Sequence, residues 1–536
     1  MSQLKEFRNP IIPGFAPDPS VVLVDGVFYL VTSSFHVFPG LPIYASRDLQ
    51  NWDHIGNAIN RPSQLSLANA RTRAIALDTG NTMIATAGLF AATIRHHQGK
   101  FYIVCTNCLS SNGSTEGGAT DTQNFIIQTS DIWSDHWSDP VPVEFAGIDP
   151  NLFFDDDGKV YFQGCYVINR SKQPSCTIKQ FEVDVDTGKQ LTEQREIWGG
   201  FAKYDTEGPH TYKKDGWYYL LVAEGGTFEH HLLSIARSKD IWGPYESYER
   251  NPIMTADGKN EYIQNIGHGE LFEDVEGQWW AAVLGVRSDE GCAALGRESF
   301  LTPVEWPRDG WPRISQPQMR FQRSFTSPKS DGKLRASARV ADVYIRDPVL
   351  SDYRYSTSDT GAVVLKPSRE DLSTPLGTST FVGLRQRSLH DAATARLLLT
   401  PSLTLSKGLR AGLALYRDHM RHVSIVYDSG RKAVVCRAVN SVTGLDRVSA
   451  VSLSVTEGAA AVSMKIESSP TRWTFFAKVE ALGGPEESWT PVEVVKVKEL
   501  DARDFTGPIY GVFAHSDGVE NEGVEVEAAR FRVNDV

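Results

Sequence analysis

Cysteine is scarce in this chain. Six residues, Cys105, Cys108, Cys165, Cys176, Cys292 and Cys436, lie far apart in 536. That spacing excludes a disulfide framework. Cys105-x-x-Cys108 falls in a strand-like run without a second pair at zinc-finger spacing, so it reads as buried thiols. No apolar run approaches the about 18 residues that a membrane-spanning helix requires. Positive charge is in deficit, with 54 Lys and Arg against 66 Asp and Glu and a formal net charge of -12. The deficit argues against nucleic acid or an anionic membrane as partner, because both demand a basic face. The opening residues Met1 to Glu6 carry charge with no apolar stretch behind them, which predicts no secretory leader and a cytoplasmic location. Helical periodicity is also nearly missing from the first half.

What the first half does contain is a recurring hairpin: an apolar or aromatic strand, a short turn with Gly, then an aromatic-rich strand. The five instances are Val24 to Leu30, His97 to Ile103, Asp157 to Phe162, Lys214 to Leu220 and Glu276 to Trp280. Their turn glycines, Gly26, Gly99, Gly158, Gly216 and Gly277, step by about 60 residues, with an insertion in the first interval, as radial repeats do. Between them stand Ser46-Arg47-Asp48-Leu49-Gln50-Asn51-Trp52, Ser130-Asp131-Ile132-Trp133 and Ser238-Lys239-Asp240-Ile241-Trp242, read as outer-strand motifs. The expected fold class is all-β: a five-bladed β-propeller over residues 1–320, a linker over 321–339 and a β-sandwich of jelly-roll type over 340–536. The second half earns its assignment from long alternating strands such as His422 to Tyr427 and Trp473 to Val479, separated by turns such as Asp428-Ser429-Gly430. Its expected job is structural, or to wall one side of a site.

In a propeller the first strand of each blade lines the central channel. Eight or nine positions before each turn glycine stand Asp18, Phe90, Asp149, Glu207 and His268. Three acids, one aromatic and one histidine are thereby aimed at one end of one channel. Asp18 lies between Pro17 and Pro19, which stiffen the backbone on both sides. Pro-Asp-Pro is also ordinary loop chemistry, but three carboxylates at the mouth of an apolar core carry a desolvation cost that a purely structural account must explain.

Cleaving an acetal requires a proton for the leaving oxygen while the carbon gains oxocarbenium character, and two carboxyl groups on opposite faces of a sugar meet that need. Acids on different blades leave room for a water, which favours inversion. The expected roles are Asp18 as general base, Glu207 as general acid and Asp149 as the group that raises and orients the acid. Arg287 is a candidate donor to vicinal sugar hydroxyls, or an ordinary ion-pair arginine. Phe35 and Phe90 are stacking candidates or core, and Thr227 is a rim candidate. His268 either holds a cation, such as calcium, or a water on the axis, or hydrogen-bonds in the core.

These residues resemble glycoside hydrolase family 43, the β-xylosidase and α-L-arabinofuranosidase group. The likeness runs through Gly14 to Ser20, Phe38 to Tyr44, Gly147 to Pro150, Glu207-Gly208-Pro209, Gly267-His268-Gly269 and Gly296-Arg297-Glu298. The resemblance implies a five-bladed propeller with base, modulator and acid at Asp18, Asp149 and Glu207, an axial His at His268 and a sugar-binding Arg at Arg287. It also implies that no cofactor is required. Thr380 to Gln386 and Gly507 to Phe513 look like the concanavalin A-like sandwich attached to the family's β-xylosidases. Where many members carry Trp-Ala-Pro this chain has Phe90-Ala91-Ala92, so the platform for the cleaved sugar is altered. The expected activity is exo-acting release of terminal β-D-xylose or α-L-arabinofuranose from xylo- and arabinoxylo-oligosaccharides. An arabinan- or galactan-processing glycosidase and a non-catalytic propeller lectin stand as alternatives.

Overall fold

In the computed structural model the described residues are 3–77, 80–110, 121–169, 172–326, 339–356, 362–482, 488–518 and 523–535. Five antiparallel sheets of the first half, each built on a meander of four strands, follow one another in chain order. Their innermost strands are Ser20–Val24, Gly88–His97, Gly147–Phe154, Glu207–Lys214 and Ile263–Glu273. Each pairs with the strand across its Gly turn, as between Leu23 and Phe28 or Phe154 and Val160. The five hairpins read from the sequence are thus the first two strands of five blades.

The motifs read as outer strands are turns instead. The Ser46 hydroxyl accepts from Leu49 N at 2.9 Å, and Asp48 Oδ1 accepts from Gln50 N at 3.0 Å and Asn51 N at 2.7 Å. The same device recurs at Asp131 with Trp133 N and at Asp240 with Trp242 N. Short polar side chains that bond nearby backbone N–H groups favour such turns over strand ladders.

Hydrogen bonds close the ring from last blade to first. The Asn9 amide donates to Leu301 O and accepts from Leu301 N, both at 2.8 Å. Gln3–Arg8 pairs with Arg320–Phe325, and Phe7 packs on Trp280, Phe321 and Phe325. The chain is therefore still in a strand where the sequence reading opens a linker. Residues 327–338 of that linker lie outside the described residues.

The second half forms two seven-stranded antiparallel sheets. They do not stand apart from the propeller. Arg503–Asp504 runs parallel to Met83–Ile84, and Tyr344–Ile345 pairs with Val37–Phe38. One apolar cluster extends from Tyr29, Leu41 and Ile94 through Tyr344 to Leu413, Ile425 and Trp473. Among the described residues no helix is long and apolar enough to cross a membrane.

Candidate active site

At the end where the sequence count gathers the acids, four of the five inner strands carry a β-bulge. Phe90 and Ala91 together oppose Thr106, Asp149 and Pro150 oppose Gly164, and Gly208 and Pro209 oppose Val222. His268 stands unopposed between Gly267 and Gly269. A bulge releases one residue from the alternation of the strand and re-aims it. Asp18, Asp149, His268 and Gly208 all have positive φ, at 57°, 53°, 26° and 55°. For non-glycine residues this conformation carries a strain that surrounding structure must hold in place. At Gly208 a Cβ would stand 2.9 Å from the His268 ring, so glycine gives both the φ and the close approach.

The side chains meet around His268. Its Nδ1 lies 3.9 Å from Asp18 Oδ1 and 3.8 Å from Asp149 Oδ2. Asp149 Oδ2 also accepts from Gly208 N at 3.2 Å, which ties it to the residue after Glu207. Asp18 accepts from the Ser33 hydroxyl at 2.5 Å and faces Arg297 Nη1 at 3.4 Å. Burial on its own would raise the Asp18 carboxyl. Arg297, His268 and the Ser33 hydroxyl outweigh it and hold the group below the ordinary carboxylate range. Asp18, Asp149 and His268 are buried, whereas Glu207 is half-buried and so open on one side.

Glu207 follows a loop held from behind by Glu224. That carboxylate, 1% exposed, accepts from Phe201 N and Lys203 N, each at 2.9 Å, and from the Ser234 hydroxyl. Beneath the acids the channel is plugged. Arg95 Nη1 pairs with Glu270 at 2.6 Å, and Nη2 donates to Asn151 at 2.6 Å and meets His210 Nδ1 at 3.2 Å. Burial first, then Arg95, keeps His210 neutral. Side chains of four inner strands thus meet in one polar network.

Arg287 has the other of its two expected roles. Its Nε and Nη2 form a fork on Glu298 at 2.8 and 2.9 Å, and Glu298 in turn accepts from Gly14 N at 2.7 Å. With that fork occupied, Arg287 braces the wall, which corrects its placement as the sugar-binding arginine. The guanidinium beside Asp18 belongs to Arg297, ten positions on. Arg297 Nη1 donates to Thr227 at 2.9 Å, while Nε and Nη2 donate to Phe505 O at 3.1 and 3.0 Å. Thr227 is therefore at the site, next to the arginine. Phe35 is only 2% exposed, covered by Phe90, Phe505 and Arg297 at 5.1, 5.7 and 5.3 Å from its ring centre. Phe90 is half-buried and has face left to offer.

Arg297 was within reach of the sequence reading, since Gly296-Arg297-Glu298 follows the fifth hairpin. Phe505, from the sandwich half, was not: nothing local marks it. For His268 as a cation ligand the donor set is thin. Asp18 and Asp149 each approach its Nδ1, but among the described residues His268 belongs to no set of three His, Cys, Asp or Glu ligand atoms that all lie within 4.8 Å of one another. A cation there would draw most of its shell from water.

Residues 7–312 match the family profile of the glycosyl hydrolases family 43, and residues 343–534 that of the beta xylosidase C-terminal concanavalin A-like domain. A non-reducing end alpha-L-arabinofuranosidase of Bacteroides ovatus is 32% identical over 541 residues, covering 96% of this chain and 93% of the relative. A xylosidase/arabinosidase of Butyrivibrio fibrisolvens is 34% identical over 446 residues, 78% of this chain and 79% of its own. The crystal structure of a xylan beta-1,4-xylosidase from Bacillus halodurans superposes with a TM-score of 0.85 at 28% identity, over 99% of this chain and all of that one. The chain thus belongs to glycosyl hydrolases family 43: it is a glycoside hydrolase with a five-bladed propeller and a concanavalin A-like C-terminal domain.

Proposed function

We propose that the protein is an exo-acting, inverting glycosidase that releases single xylose or arabinofuranose residues from the non-reducing ends of xylo- and arabinoxylo-oligosaccharides. Asp18 is the general base, Glu207 the general acid and Asp149 the group that orients and tunes the acid. The observation that carries this reading is a buried carboxyl, Asp18, kept ionised by Arg297 and His268. A base must be ionised before it can take a proton. The names of the relatives, xylosidases and arabinosidases, supply the sugar class. Membership of a hydrolase family sets the lectin alternative aside.

In the proposed reaction a water between Asp18 and the anomeric carbon gives one proton to Asp18 as its oxygen bonds to that carbon. The carbon–oxygen bond to the leaving sugar breaks, and Glu207 delivers its proton to the departing oxygen. Arg297 steadies the ionised base, Thr227 lies beside it at the rim, and Phe90 offers the bound pentose a ring face. This chemistry draws on two carboxyl groups and a water, and calls on no cofactor.

Proton NMR of the first-formed anomer from xylobiose tests the assignment. Inversion is expected, and a product of retained configuration overturns the roles of Asp18 and Glu207. Glu207→Ala should fold normally and lose several orders of magnitude in turnover. Side-by-side hydrolysis of xylobiose, arabinoxylan oligosaccharides and arabinan identifies the sugar, and a clear preference for arabinan rejects the oligosaccharide class proposed.

A further inference from the structure

Two of the scattered cysteines come together beside the candidate acid. The Cys165 and Cys176 sulfurs and a Glu207 carboxylate oxygen all lie within 4.8 Å of one another. Cys165 is on Val160–Val167 and Cys176 opens Cys176–Glu182, neighbouring strands of the third blade. Glu207 opens the inner strand of the fourth. Cys176 pairs with Val167 and Cys165 with Ile178, so the two thiols share a sheet face as diagonal neighbours. Diagonal partners stand about 7–8 Å apart at Cα, at or beyond the reach of a disulfide. An ion between the sulfurs spans that gap without backbone movement. Ligands of one tetrahedral zinc, at about 2.3 Å for sulfur and about 2.0 Å for oxygen, stand roughly 3.5–3.8 Å apart. Shifts of about 1 Å or less therefore close the present arrangement on an ion.

We propose that Cys165, Cys176 and Glu207 form an inhibitory site for a thiophilic divalent cation of the zinc and cadmium class. Two sulfurs select that class over magnesium and calcium, which prefer all-oxygen shells. Both thiols are buried, at 0% and 1% exposure, and Glu207 is half-buried, so the ion enters from the Glu207 side. On binding it displaces the thiol protons to water and occupies the carboxylate lone pair that would otherwise carry the proton for the leaving group. Binding tightens as pH rises, and a sugar in the pocket slows it. The inhibitory half of this inference rests on Glu207 as the acid; the binding half does not.

The test is a cadmium titration of the full-length protein, following the thiolate-to-cadmium charge-transfer absorption and aryl-pentoside turnover together. One equivalent should develop the band and abolish most turnover, while magnesium and calcium do neither. Cys165→Ala and Cys176→Ala should each keep basal turnover, lose the band and raise the half-inhibitory cadmium concentration at least about tenfold. Cys176→Ser, checked by its melting curve, serves if an alanine variant does not fold. Absence of the band in the wild type, or inhibition unchanged in the variants, overturns the proposal. A band with full turnover also overturns it. In that case the turnover of Glu207→Ala without metal shows whether the acid assignment has fallen too.

Discussion

Replacing Arg297 by Met should move the acidic limb of the pH–rate profile upward, because it removes the charge that keeps Asp18 ionised. Arg297 Nη1 and Asp18 Oδ1 are 3.4 Å apart. Two unit charges at that distance attract by about 5 kcal/mol at an effective dielectric of 20, and about 1 kcal/mol if solvent screens them as bulk water does. At about 1.4 kcal/mol per pH unit, those bounds correspond to about 1 to 3.5 units. The sign follows from the balance at Asp18: burial raises its pKa and the arginine lowers it, so losing the arginine leaves burial ahead. His268 and the Ser33 hydroxyl remain and go on lowering the carboxyl, so burial is only partly uncovered. In its proposed role as base, Asp18 works only when ionised, so turnover is lost in the window between the old limb and the new one. The readout is kcat/KM against pH on an aryl pentoside, which reports the free enzyme's base. Arg297 also binds Thr227 and Phe505, so the height of the profile will fall for geometric reasons; the position of the limb separates charge from shape. Arg297→Lys, which keeps the charge, should shift the limb much less. A limb that stays in place in Arg297→Met, or moves equally in both variants, refutes the coupling.

Gly208→Ala should cost about 1–2 kcal/mol of stability for the left-handed backbone alone. It should also cut turnover, because the new methyl displaces the His268 ring; an unchanged melting temperature and rate would refute this. Phe505→Ala should raise KM more than it lowers kcat, since it removes a ring packed on Phe35 and Phe90 at 5.7 and 5.9 Å but leaves the carbonyl that holds Arg297. Steady-state kinetics on xylobiose measure that split, and a pure kcat effect would count against it. Treatment with EDTA should leave kcat/KM unchanged, because among the described residues His268 joins no compact set of three ligand atoms; a loss restored by calcium would put a working cation on the axis.

The blades were legible because their signal is local. A Gly turn between an apolar and an aromatic strand needs only about a dozen residues to declare itself, and its repetition then fixes the architecture. The convergence of Asp18, Asp149 and His268, with Gly208 after Glu207 bonded to Asp149, was legible for a related reason: each candidate stands a near-constant distance before such a turn, and bulges at Asp149 and His268 and just after Glu207 re-aim the strands there. Arg287 was misread because residue type and neighbourhood cannot tell a sugar-binding fork from one already closed on a carboxylate. Only Glu298, eleven positions on, decides it. The Cys165–Cys176–Glu207 cluster was invisible for the same cause. Cys165 and Cys176, eleven residues apart and without a paired motif in the sequence, become neighbours through strand register, and blade packing brings Glu207 to them.

Why the second domain matters follows from what Arg297 binds. Its Nε and Nη2 both end on a carbonyl of the sandwich half, while its Nη1 faces Asp18 and Thr227 of the propeller. Buried donors left without a partner cost about 1–3 kcal/mol each, so a propeller alone would hold this guanidinium poorly. The backbone agrees: a Cβ on Gly296 would stand 2.4 Å from Thr506 O, which makes the close seating of the two halves a condition written into the residue just before the arginine. Arg503–Asp504 meanwhile runs beside Met83–Ile84 of the first half, and Phe505 packs against an apolar cluster that draws Phe15 and Phe35 from one half and Ile509 and Phe513 from the other. The sandwich therefore takes part in the candidate site: it supplies the carbonyl that holds the Arg297 guanidinium and the ring that packs on Phe35 and Phe90.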